Sequence, residues 1–424
     1  MLQSTKSHKG EIFMDATLRF HADTIVKSAI EAVLPDRAVA RALEGKSFPG
    51  KVVLVAAGKA GWQMAKAAYD VLGDRIDTGV VVTKYDHVKG PIGNILCCEA
   101  GHPVPDENSF AGTRQALAAT ENLTPQDTVL FLLSGGGSAL FEDPLVSGEE
   151  LQNITRQLLA CGADIVEMNT IRKRLSRVKG GRFAQHCAPA QVYAIVLSDI
   201  LGDPLDMIAS GPACPDSSTC QQALAIADKY QLQLTDRARQ LLAEETPKQL
   251  DNVTTCINGS VRELCVAAAQ AAQDLGYEPI MLTDQLCCQA KEAGSFLGAI
   301  LKSHAQSDKS MAFIAGGETL VKLIGNGLGG RNQELALAAA PLIADISGAA
   351  VLSIGSDGTD GPTDAAGGYV DGHTVAELAT CGLTVHQVLE NNDAYHALQK
   401  TGGLIITGAT GTNVNDVAVA LLKK

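Results

Sequence analysis

Five residues with almost no side chain, Ser134-Gly135-Gly136-Gly137-Ser138, follow directly on the apolar run Val129-Leu130-Phe131-Leu132-Leu133. Bare backbone at the carboxyl end of a buried strand leaves amides free to turn toward an anion, and successive amides of this kind form a phosphate nest. A comparable loop, Gly58-Lys59-Ala60-Gly61, ends the apolar run Lys51–Ala57. It sets an ammonium group beside a helix N-terminus, where anions are favoured. Asp199 and Asp203 end another apolar run in Ser198-Asp199-Ile200-Leu201-Gly202-Asp203. Two carboxylates suit Mg2+, which takes one or two of them and completes its shell with water and phosphate oxygens. Asp357, Asp360 and Asp364 crowd a fourth strand end, a density better matched to a metal than to one ribose.

Other patterns carry less chemistry. Gly325, Gly327 and Gly330 spell G-x-G-x-x-G between a predicted strand (Leu320–Ile324) and a predicted helix, which keeps a nicotinamide-dependent reductase as the alternative reading. The loop at Ser134 lacks the lysine of a P-loop, and no G-x-S-x-G elbow follows a strand. His102 lies in the proline-rich turn Gly101–Glu107 and reads as a turn residue. The basic stretch Asn169–Arg182 reads as a solvated helix face, with an anion-facing turn at Lys179–Arg182 as its alternative.

The elements that must position these loops alternate between strand and helix. Buried strands are predicted over 51–57, 79–83, 95–98, 129–133 and 190–197, with a helical pattern after each but 79–83. After a polar, proline-containing stretch at Glu244–Asp251, strands are predicted at 254–257, 280–283, 311–315, 350–354 and 404–406, and a last helix follows Asn413. The expected division is residues 15–246 and 252–424.

Composition agrees. Hydrophobic residues make up 46% and aromatics 4%, with 42 glycines, which suits an α/β protein with many tight turns. A net charge of -13 argues against nucleic acid and membrane surfaces as partners, though not against a small anionic substrate. The 11 cysteines include no C-x-x-C and read as reduced apolar fillers, hence a cytoplasmic protein. Residues 1–13 lack the apolar centre of a signal peptide and read as a tail before an alternative start at Met14.

Taken in order, GHPVPD, LSGGGSA, IRKRLSRVKGGR, SDILGDPLDMIASGP, GGETLVKLIGNGLGGRNQELAL, SDGTDGPTDAAGG and TGATGTNVND resemble the glycerate 2-kinase family with a MOFRL domain, often labelled hydroxypyruvate reductase of tartrate degradation. The resemblance runs from about Ala16 to Leu422. Arg174, Cys214 and Ala409 depart from it, standing where histidine, threonine and proline are expected. It implies two α/β domains, a Rossmann-like N-terminal one with a mostly parallel sheet and a smaller MOFRL one, with a cleft between them. It also implies ATP- and Mg2+-dependent phosphorylation of D-glycerate to 2-phosphoglycerate. On that footing Ser134, Gly135, Gly136, Gly137 and Ser138 cradle the ATP phosphates, and Lys59 and Arg331 grip the phosphoryl group or the glycerate carboxylate. Asp199 and Glu318 bind metal or accept the hydroxyl proton, Asp203 joins the metal ligands, and Asp357 and Asp360 hold Mg2+ or nucleotide. The partners are then one small substrate and one nucleotide, and a homodimeric assembly is left open.

Overall fold

The computed structural model describes residues 14–424, so the N-terminal tail read above lies outside the described residues. The chain forms two compact units. One is Leu34–Ser260; the other joins residues 14–33 to Val261–Lys424.

The first unit holds six strands: β1 (Val52–Ala57), β2 (Thr78–Lys84), β3 (Ile95–Ala100), β4 (Thr128–Leu133), β5 (Gln191–Leu197) and β6 (Val253–Gly259). They pair in the order β3-β2-β1-β4-β5-β6, all parallel. Every residue of β1 and β4 is buried, because helices cover both faces of such a sheet and the strands can therefore be continuously apolar. On one side Phe131, Phe141 and Phe183 stack with centroids 4.8–5.6 Å apart. Strand order reverses between β1 and β4, and ligands of open α/β sheets bind outside the carboxyl ends of the strands at that point.

The second unit carries β7 (Glu278–Leu286), β8 (Met311–Gly317), β9 (Ala349–Gly355), β10 (Gly367–Asp371), β11 (Leu404–Ile405) and β12 (Asp416–Leu422) in the order β11-β10-β9-β12-β8-β7. Only β7 and β8 pair in parallel; the other four pairings are antiparallel.

Several expectations are corrected here. The segment after Asn413 is a central strand, not a helix: β12 is buried throughout between β8 and β9. A strand covered on both faces has the same unbroken apolar run as a buried helix, and only its valines favoured the strand. Residues 321–324 form no strand; Leu323 is 80% exposed. Neither expected boundary matches the units. β6 pairs with β5 and closes the first sheet, so the chain passes to the other unit at Ser260 rather than near residue 250. The helix Ala16–Ala32 joins the second unit, where Arg19 donates to the carbonyls of Gly402 (2.8 Å) and Leu404 (3.0 Å). Its apolar stripe announced that it packs, not on what.

The basic stretch is corrected too. Lys173, Arg174 and Lys179 are buried, not solvated. Lys173 pairs with Asp216 at 3.0 Å, and Lys179 pairs with Glu142 at 2.9 Å with both side chains fully enclosed. Arg174 donates to the Thr170 carbonyl (2.9 Å), the Ser218 hydroxyl (2.9 Å) and the Ser218 carbonyl (3.0 Å). Burial pushes the Lys179 ammonium down to about 8 against the pull of Glu142. Arg177, by contrast, is more than half exposed. None of the 11 cysteines is in a disulfide.

Candidate functional site

At the reversal point the loops after β1 and β4 are laced together. The Lys59 N–H donates to the Gly135 carbonyl (2.9 Å), and the Ala60 N–H donates to Ser134 Oγ (3.0 Å). Gly58, at φ +121, leaves no room for a Cβ against Ser134. Thr83 donates to the Gly58 carbonyl (2.9 Å), and His87 Nδ1 lies 2.9 Å from the Lys59 carbonyl. The backbone of Lys59 is thus held on several sides while its side chain is exposed. The helix Gly61–Leu72 begins just after it, and its N-cap Ala60 offers no side-chain bond to the first-turn amides. Ammonium and open helix end share one place, a setting for an anion.

Asp199, after β5, lies against this loop: a Cβ added to Gly135 would collide with its carboxylate. Asp203 Oδ1 is buried and has no hydrogen-bond partner among the described residues. Such an orphan oxygen, with Asp199 on the same loop, fits a hard cation that brings its own water and phosphate ligands. Among the described residues no three His, Cys, Asp or Glu side chains cluster at metal spacing.

A Cβ on Gly136, whose φ is +85, would come within 3.0 Å of His102 Cδ2 and 3.1 Å of Lys59 Cγ. His102, the one histidine its turn made worth watching though it reads first as a turn residue, therefore stands beside the loop. Burial and then the Lys59 charge push its imidazole below the ordinary histidine range, so it stays neutral at pH 7.

Beneath the loop lies a layer that sequence reasoning missed. Ser138 Oγ is 3.0 Å from Ser210 Oγ, whose hydroxyl donates to Asn169 Oδ1 at 2.9 Å. Arg172 donates to the Ser138 carbonyl at 3.0 Å. Ala209 and Ser210 adopt left-handed φ values of 49° and 63°, each costing on the order of 1 kcal/mol for a residue with a Cβ. The only signal was in two motifs, the basic stretch and Ile208–Pro212, whose side-chain contacts are nonlocal.

On the second unit Arg331 opens the helix Arg331–Ile343. Its Nε and Nη2 grip the two oxygens of Asp416 at 2.6 and 3.0 Å, and its Nη1 reaches Glu318 at 2.8 Å. Burial works against the charge, but Asp416 and Glu318 more than offset it and hold the guanidinium proton more firmly than usual. Asp416, the first residue of β12, was not singled out from the sequence. Asp357 accepts from the Thr359 N–H (2.9 Å) and hydroxyl (3.1 Å). Asp360 accepts from the Asn332 N–H (3.2 Å) and the Gln333 N–H (2.8 Å), so both oxygens cap the Arg331 helix instead of facing a metal.

Two predictions arise here. Burial pushes the Asp360 carboxyl up to about 6. The folded protein then binds more protons than the unfolded one between the ordinary carboxyl value and about pH 6, so Asp360 lowers stability as pH rises through that window. The stability of wild type relative to Asp360→Asn should fall by roughly 2 kcal/mol from pH 4 to pH 7, read from paired denaturant melts. A pH-independent difference would contradict the buried-carboxylate account. Second, Gly135→Ala should displace the Asp199 carboxylate and lower activity by about 10-fold or more with little change in melting temperature, because only a site contact is lost. Normal turnover would show that the Gly135–Asp199 approach is idle.

Comparison with known proteins adds the lineage. The MOFRL family matches residues 311–416, and a family described as Domain of unknown function (DUF4147) matches residues 21–243. The D-glycerate 2-kinase of Thermotoga maritima is 52% identical over 417 residues, spanning 97% of this chain and all of the relative. The chain belongs to the glycerate 2-kinase family with a MOFRL domain. The Glycerate 2-kinase of Pyrococcus horikoshii is 40% identical over 94% of this chain and 96% of its own. The crystal structure of the T. maritima glycerate kinase superposes with a TM-score of 0.92 over 96% of this chain and the whole of that one. Among the described residues no helix of this family member is long and apolar enough to cross a membrane.

Proposed function

We propose that this chain transfers the γ-phosphoryl group of ATP to O2 of D-glycerate, with Mg2+. The observation that carries the reading is Lys59 pinned beside the Ser134–Ser138 loop at the strand-order reversal. The kinase names borne by relatives at 52% and 40% identity support it. Phosphoryl transfer asks for positioning and charge stabilisation rather than a strong nucleophile. The amides of residues 134–138 orient phosphate oxygens, and Lys59 offsets the negative charge that builds on the equatorial oxygens. Asp199 accepts the proton that the glycerate hydroxyl loses as the new P–O bond forms and the bond to the ADP leaving group breaks. Asp203, with its unpartnered Oδ1, would hold Mg2+ beside the base Asp199, and the ion would supply further charge neutralisation of the phosphates. Neutral His102 adds no charge of its own and can donate one hydrogen bond.

The reductase alternative loses its motif context. Gly325 and Gly327 pack on Asn391 and Asp393, and no strand runs into them, whereas a dinucleotide fingerprint needs strand, loop and helix in succession. Incubation with ATP, Mg2+ and D-glycerate should release ADP only when glycerate is present, and incubation with NADH or NADPH and hydroxypyruvate should consume no reductant. Glycerate-independent ADP release, or reductant consumption, would overturn the proposal.

A further inference from the structure

A groove of about 1020 Å3 opens on the first unit, lined by Arg114, Asp143, Arg177, Arg182, His186 and Glu245 among others. None of residues 58–61, 134–138 or 198–203 lines it. Its walls include Leu117, Ala118 and Glu121, at and just past the end of the helix Glu107–Ala119, and His186 in the short helix before β5. These segments lead into the amino ends of β4 and β5, whereas the phosphate loops leave the carboxyl ends. His186 Nε2 lies 3.0 Å from the Leu117 carbonyl and joins the two walls.

The groove's lining sets three guanidinium groups against three carboxylates, Glu121, Asp143 and Glu245, so it is neutral where the chain as a whole is acidic. Arg114 Nη1 and Arg177 Nε each reach a different oxygen of Asp143, both at 3.1 Å. One carboxylate therefore serves two arginines, each of which spends a single nitrogen on it. Their side chains remain 53% and 57% exposed, and each guanidinium has further N–H donors beyond the one spent on Asp143. Arg182 is anchored by one bond to the Ser176 carbonyl (3.1 Å). Glu245 is already engaged by Lys248 (2.9 Å) and Arg174 (3.4 Å), Glu244 and Asp216 act on the Arg182 charge, and Glu121 is the further carboxylate of the lining.

We propose that this groove is a second anion site, distinct from the phosphate loops, that binds a small multiply charged anion of the phosphate class through Arg114, Arg177 and Arg182. Planar forks held on either side of one carboxylate match two oxygens of a phosphate each, and the groove exceeds what a single phosphate fills. A diphosphate-sized ligand suits both features. The inference does not rest on the proposed catalytic reading.

Inorganic pyrophosphate is the probe, titrated calorimetrically into the full chain carrying Lys59→Ala, which weakens binding at the phosphate loops. Binding should persist there and weaken by about 10-fold or more when Arg114→Gln and Arg177→Gln are added. The same pair of changes in otherwise wild-type protein should leave glycerate phosphorylation within about two-fold. Because the pair leaves Asp143 uncompensated, Glu121→Gln provides a test that keeps both ion pairs: it should tighten pyrophosphate binding about two- to three-fold, more at low salt. Absence of binding to the Lys59→Ala protein, equal affinity after the arginine changes, or no tightening in Glu121→Gln would overturn the proposal.

Discussion

Replacing Lys59 by alanine is expected to lower the rate of glycerate phosphorylation by about 1000-fold while shifting unfolding free energy by less than about 0.5 kcal/mol. Both halves follow from how the residue is built in. Its backbone is fixed by Gly135 and lies beside Thr83 and His87, bonds that alanine keeps. Its side chain is exposed and closes no core, so folding loses little. The Ser134–Ser138 loop carries no cation, and Lys59 is the lysine beside it. Removing the charge leaves amides to orient phosphates without the ammonium that offsets the charge developing on the equatorial oxygens during transfer. Lys59→Arg should recover only part of the rate, since a planar fork cannot replace a compact ammonium in the same space. A rate within a few-fold of wild type for Lys59→Ala would remove Lys59 from the chemistry, and a large loss of stability would show that it holds the loop instead.

Arg331→Ala should be the costliest single change to folding among the candidate site residues, on the order of 2–4 kcal/mol. Asp416 begins a strand enclosed between β8 and β9, and its carboxylate has only 8% of its side-chain surface exposed. Without the guanidinium that grips both of its oxygens, a buried charge is left uncompensated. The estimate lies at the lower end of what breaking a buried pair costs, because Arg331 is itself 32% exposed and water can enter beside it. Neutralising the partner as well should restore stability: Arg331→Ala with Asp416→Asn should melt higher than Arg331→Ala alone. Paired denaturant melts decide the matter. If the double variant is the less stable one, the pair is not what holds this end of the strand.

Much of the first unit could be read before any coordinates. Parallel strands covered on both faces advertise themselves as unbroken apolar runs, and β1, β4 and β5 fall within a residue of where the runs predict them. That the loops at Lys59 and Ser134 sit at strand ends was legible for the same reason, since glycine, serine and lysine followed the apolar runs. The rest depended on what touches what. Lys173, Arg174 and Lys179 look like a solvated face until Asp216 and Glu142 are placed beside them from distant positions. Asp360 looks like a metal ligand until the Arg331 helix is set on top of it. Asp416 was quoted within a motif, yet its role was hidden because the strand it begins was read as a helix. Chain order likewise assigned the helix Ala16–Ala32 to the wrong unit, since its stripe carries no address. Side chains whose meaning is local were visible; those whose meaning is a partner were not.

The most direct test of the central claim is phosphorus NMR of the reaction of this protein with ATP, Mg2+ and D-glycerate. The account predicts a new phosphomonoester resonance coupled to the single proton on C2, growing as ADP appears and absent with Lys59→Ala. A resonance coupled to the two C3 protons would contradict the assignment of O2, and no glycerate-dependent phosphomonoester at all would contradict the kinase reading itself.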